Sequence, residues 1–184
     1  ACVILTAHAE IITEMIQYKD GDTVLEGMIA YDDTSTTKRP GVVVVHEWWG
    51  LNDHSKNSAK KLAELGYVGF AADMYGKGVT TDDSAEAGKM SGALKGDRAA
   101  LRKRAKAALD TLSAFKLTDA AKLGAIGYCF GGTTALEIAR SGAPVKGVVS
   151  FHGALGTPTP ADATNIKGAV LVCHGAVDPF VPEK

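Results

Sequence analysis

"LGAIGYCFGGTTALEIARSG", residues 123–142, changes its period in the middle. A short apolar run, "KLGAIGYC", ends at Cys129. A helical pattern, "GGTTALEIARSG", begins directly after it, with Gly142 just past its end. The first half reads as a buried strand and the second as a helix. Gly127 and Gly131 flank Cys129 at two residues on either side, where close chain approach and an unusual backbone conformation call for glycine. The predicted unit is a strand, a sharp turn carrying a thiol, and a helix.

The same alternation extends outward. "VVVVHE", residues 42–47, and "YVGFAAD", residues 67–73, are apolar, β-branched runs of the kind buried on both faces of a parallel sheet. Between them a helix starts near Ser55 and stops at Gly66. Residues 75–95 are rich in Gly, Thr and Asp, and read as a loop with a short helix near 82–91. Leu101, Ala105, Ala108, Leu112 and Phe115 then form one apolar helical stripe. Arg102, Lys103, Arg104 and Lys106 lie off that stripe and read as a solvated face. "VKGVVSFHG" and "GAVLVCHG" are two further strands. Upstream, 10–18 and 23–31 are β-rich runs separated by the turn signal "KDGD", which predicts a hairpin. The fold expected is α/β: a doubly wound, mostly parallel sheet with an N-terminal antiparallel hairpin at one edge. Such sheets bind ligands beyond the C-terminal ends of their strands. Glu47, Asp73, Cys129, His152 and His174 all fall there.

Bulk properties narrow the class. The chain has 184 residues, 46% of them apolar, and a net charge of −1, enough for one sizeable core and about one domain. No basic block points to nucleic acid. No apolar run reaches the roughly 18 residues of a membrane helix. Three cysteines are too few for a disulfide framework, so Cys129 and Cys173 are expected as free thiols. "ACVILTAHAE" reads as the tail of a signal peptide over residues 1–9, with small residues in Ala7-His8-Ala9 at cleavage-site spacing. That reading implies a periplasmic or secreted location, and a cytoplasmic one without it. Residues 10–184 then form the domain. A thiol at a helix N-terminus is also expected to ionise below the ordinary cysteine range.

"VVVVHEWWGLNDH", "GYVGFAADMYGKG", "GYCFGG" and "LVCHGAVDPFVP" occur in this order, and together they closely resemble the dienelactone hydrolase family of α/β-hydrolases from about residue 10 to the end. The resemblance implies an α/β-hydrolase fold, here truncated at the C-terminus. It also implies hydrolysis of small esters or lactones through an acyl-enzyme, as in a carboxymethylenebutenolidase. Cys129 would be the nucleophile and Asp178 the acid that orients the histidine. Glu47 would be the carboxylate that regulates the thiol. The backbone N–H groups of Trp48 and Phe130 match the oxyanion-hole donors. Trp49 and His152 would line the substrate pocket. Lys77 stands where the family member acting on dienelactone has an arginine that grips the substrate carboxylate, so the charge is kept and the bidentate fork is lost.

The family order is nucleophile, acid, histidine, and no histidine follows Asp178. The triad histidine is therefore expected beyond Lys184. No metal or organic cofactor is called for, since no metal-ligand spacing is present. The expected partner is a small-molecule ester or lactone, with no nucleic acid and no membrane, and the expected state is a monomer. The alternative is a catalytically inactive α/β-hydrolase-fold protein that binds small molecules, which a missing histidine would also fit.

Overall fold

The computed structural model describes residues 10–34, 36–179 and 181; residues 1–9, read above as a signal tail, lie outside them. The hairpin forms as expected. Strands β1 (Ile11–Asp20) and β2 (Thr23–Asp32) pair antiparallel. Strand β3 (Arg39–Val45), helix α1 (Asp53–Glu64) and strand β4 (Val68–Ala72) follow. Next come helices α2 (Ser84–Gly96) and α3 (Arg98–Ala114), strand β5 (Thr118–Tyr128) and helix α4 (Phe130–Arg140). Strand β6 (Val145–Phe151), a 3-10 turn (Pro160–Asn165) and strand β7 (Ala169–Cys173) close the described chain.

The seven strands form one sheet in the order β1-β2-β4-β3-β5-β6-β7. From β4 through β7 every pairing is parallel. The hairpin joins through an antiparallel β2–β4 ladder. Alternation along β3 divides the core between two faces. Val43 and Val45 pack with Leu101, Ala105 and Leu112 of α3 and with Ala135 and Ile138 of α4. Val44 packs with Ala59 and Ala63 of α1. The result is the three-layer arrangement that a doubly wound sheet requires.

Local chemistry sets the helix boundaries. The Asn52 side chain accepts the Ser55 N–H at 3.1 Å and caps α1. Asp83 and Asp97 cap α2 and α3 in the same way; each such cap stabilises its helix by about 1 kcal/mol. The Asp83 cap starts a helix that runs to Gly96, beyond the short segment expected from the weak periodicity.

One expectation changes. The cationic side of α3 is only partly solvated. Arg104 is largely buried, donating to Asp20 at 3.1 Å and to the Met74 carbonyl at 3.0 Å. Arg102 joins the fully buried Glu137 of α4 at 2.7 Å and Asp162 at 2.6 Å. These arginines reach past the apolar stripe to partners on other elements, which the spacing on one helix does not reveal. The last strand, rich in valine, is an open edge of the sheet. Among the described residues β7 pairs with β6 alone, and Val170, Leu171 and Val172 are exposed at 42%, 55% and 38%.

An uncovered apolar edge strand is a template for association. The 184-residue chain is therefore expected to self-associate as its concentration rises. Leu171→Lys should shift its sedimentation toward the monomer, while an unchanged profile would place the association elsewhere.

Candidate active site

Register brings the chemistry together. In the parallel ladders Val45 is opposite Gly127, Tyr128 opposite Phe151, and Phe151 opposite Cys173. The residues just past these positions are Glu47, Cys129, His152 and His174, in a row along the C-terminal ends of β3, β5, β6 and β7. The sequence placed each at a strand end; the sheet sets them side by side.

Cys129 occupies the turn between β5 and α4 with φ 55 and ψ −112, in the left-handed half of the map that non-glycine residues seldom adopt. Its N–H donates to the Phe151 carbonyl at 2.8 Å. The turn is tight because glycine permits it. A Cβ on Gly127 would lie 2.0 Å from the Gly131 carbonyl oxygen, and one on Gly131 would lie 2.2 Å from that of Val45. Both Cys129 and Cys173 are free, half-buried thiols.

Burial pushes the Cys129 thiol above the ordinary cysteine range. The Phe130 N–H directed at the sulfur and the Lys95 charge on α2 act the other way, and the Glu47 and Asp178 carboxylates add to the rise. The expected lowering by the helix terminus is thus outweighed by desolvation. Lys95 had no signal in the sequence. It shares a face of α2 with Ser91 and Gly88, and Gly88 abuts the Trp48 ring.

Glu47 is engaged on both carboxylate oxygens. Oε2 accepts from Asn52 at 3.0 Å and Oε1 from His54 Nδ1 at 2.5 Å. Trp48 and Trp49 meet edge to face at 4.9 Å. Tyr75 donates to the Trp48 carbonyl at 3.1 Å, and burial first, then the nearby Cys129, keeps its phenol protonated. No hydrogen bond takes the Trp48 N–H among the described residues. His46 is fully buried. Its Nδ1 donates to the Glu47 carbonyl and its Nε2 accepts from Met74 N–H at 3.2 Å. Burial lowers its basicity, so it is a neutral strut beneath the site. Asp73 likewise serves the scaffold, accepting from the Tyr75, Gly76 and Glu26 amides.

At the other end of the row Asp178 has both oxygens in use. Oδ1 accepts the Val181 N–H at 3.0 Å, and Oδ2 meets His152 Nδ1. His152 also has positive φ, at 57, and its ring stacks on His174 at 6.1 Å. The His152–Asp178 pair was not foreseen, because nothing in the sequence says which histidine the acid meets.

Lys77 is not joined to this group. Its ammonium pairs with Glu26 of β2 at 2.9 Å, toward the hairpin. A depression of about 550 Å³ lies at the opposite end of the sheet, lined by Arg102, Lys103, Lys106 and Leu109. Each of its three cations is neutralised by a carboxylate, and its lining holds no thiol or imidazole. Among the described residues, no group of three or more His, Cys, Asp or Glu could hold a metal ion. No described helix is long and apolar enough to cross a membrane.

The comparisons with known proteins agree with this fold. The dienelactone hydrolase family matches residues 25–184. Protein usf of Aquifex pyrophilus is 32% identical over 173 residues, covering 91% of this chain and 73% of its own length. Other relatives carry carboxymethylenebutenolidase in their names. Among solved structures, m3DLH is 49% identical with a TM-score of 0.90, over 95% of this chain and 72% of its own. P91, a dienelactone hydrolase-like promiscuous phosphotriesterase from metagenomic libraries, is 45% identical with a TM-score of 0.90, over 96% of this chain and 73% of its own.

Proposed function

The chain belongs to the dienelactone hydrolase family, and from that premise we propose that it hydrolyses small esters or lactones through a Cys129 acyl-enzyme. The observation that carries this reading is the turn at Cys129. A thiol held at φ 55 between a strand and a helix, with the Phe130 N–H on its sulfur, is placed to attack a carbonyl above the sheet. The acid–base histidine takes the S–H proton as the sulfur adds to the carbonyl carbon, and the new oxyanion is held by the Phe130 and Trp48 amides. Collapse expels the alkoxide, which takes a proton from the acid–base group. Water then releases the acid and restores the thiol.

Asp178 orients the histidine that moves these protons. In the order the family resemblance implies, that histidine follows the acid. The contact of His152 with Asp178 favours His152 as a second reading. Trp48 and Trp49 wall the pocket.

The thiol route is tested by mass spectrometry after mixing the chain with p-nitrophenyl acetate. One acetyl group on the Cys129 peptide is the expected result, and acetyl confined to lysines would reject it. Sustained turnover that is lost in His152→Gln would assign the base to His152.

A further inference from the structure

We infer that His54 is a positioning residue: it holds the Glu47 carboxylate against the first turn of α1 and so keeps it off the Cys129 sulfur. The inference deepens the proposed thiol chemistry and rests on that reading of Cys129. Its footing is geometric. Asn52 and His54 take one Glu47 oxygen each, at 3.0 and 2.5 Å. With both oxygens occupied, no hydrogen bond joins Glu47 to the thiol among the described residues.

His54 is itself fixed from the far side. Its ring packs on Tyr128 with centroids 4.4 Å apart, and Tyr128 directly precedes Cys129. Ser58 closes the unit, donating to the His54 carbonyl at 2.9 Å and lying 3.1 Å from the Tyr128 hydroxyl. Tyr128 in turn stacks on Phe151 at 5.1 Å, whose carbonyl receives the Cys129 N–H. The histidine therefore joins the carboxylate to the turn that carries the thiol.

Loss of the His54 donor frees one Glu47 oxygen. The carboxylate can then turn to the thiol and accept its S–H, which disfavours the thiolate. The other charges facing the sulfur are Lys95 from α2 and Asp178 from the segment after β7. The neutral Tyr75 phenol faces it from the segment after β4. None of these is altered by a change at position 54.

The test follows iodoacetamide labelling of the Cys129 peptide against pH, in substrate-free protein. His54→Phe keeps an aromatic ring against Tyr128 and removes the donor. It should raise the apparent thiol pKa by about one unit, a roughly tenfold slower labelling at neutral pH. His54→Asn, which restores a donor near the same place, should return the rate toward that of the parent. Glu47→Gln should lower the thiol pKa and speed labelling. Glu47→Gln/His54→Phe should match Glu47→Gln alone. An unchanged rate in His54→Phe would overturn the inference. So would a slowing that persists in the double variant, since His54 would then act on the thiol without Glu47. Thermal unfolding of each variant shows whether the fold is retained, and Glu47→Gln/His54→Asn repeats the comparison with the smaller change. Because no ester is used, failure here is separate from failure of the hydrolase reading.

Discussion

In protein whose thiol is served by an acid–base histidine, Cys129→Ala is expected to lower the rate of p-nitrophenyl ester cleavage by a factor on the order of 10⁴ or more, as loss of a covalent nucleophile does. The fold should survive the change. Among the described residues the sulfur accepts only the Phe130 N–H, at the first position of α4, where an N–H has no helical partner and water can serve instead. The φ of 55 is no more demanding for alanine than for cysteine. Thermal unfolding should therefore stay close to that of the parent while the ester assay falls to background. A variant that keeps the parent rate would place the chemistry on another residue. The same variant separates the hydrolase from a binding protein, because a pocket that only binds would keep its ligand affinity without the thiol.

Gly131→Ala is expected to destabilise the protein by about 3 kcal/mol or more, since the added carbon overpacks rigid backbone. The Cβ would lie 2.2 Å from the Val45 carbonyl oxygen and 2.6 Å from that of His46. Neither atom is the end of a flexible side chain. The first turn of α4 must lift away from β3, carrying the Phe130 amide and the sulfur with it. For a protein of this size the loss corresponds to a melting temperature about 6–12 °C lower. Cys129 labelling should also lose its dependence on Glu47. Gly92→Ala is the control. It lies in α2 with nothing within 4 Å of its Cβ position, and alanine there should stabilise the helix by about 1 kcal/mol. Equal melting temperatures for the parent and Gly131→Ala would show that the first turn of α4 and the end of β3 do not approach as closely as the geometry states.

Parts of this site were legible from local chemistry alone. The thiol turn follows from glycines whose role is steric and short-ranged. The strand-end placement of Glu47 and His152 follows from where β-branched runs stop. The hairpin and the α3 stripe follow from periodicity. What escaped the sequence depends on register across the sheet. Asp178 meets His152 because β6 and β7 align Phe151 with Cys173. Lys77 turns to Glu26 because the chain after β4 runs toward the hairpin. His54 looked like any first-turn histidine until α1 placed it between Glu47 and Tyr128. The thiol's protonation was misjudged for a related reason: a helix terminus is visible in sequence, whereas the depth at which a side chain is buried is not.

Strand order also carries a consequence for how the chain is made. Beyond β4 the sheet is laid down outward in chain order, as β5, then β6, then β7. Synthesis from the N-terminus therefore delivers Glu47 before Cys129, and Cys129 well before Asp178. While the growing chain carries the Cys129 thiol without Asp178, the Glu47 carboxylate, whose charge disfavours the thiolate, is already in place. Burial and Glu47 both favour the neutral thiol, the form least open to oxidation and stray acylation. Once β3 and β5 have paired, the thiol is thus held neutral until the last members of the row arrive.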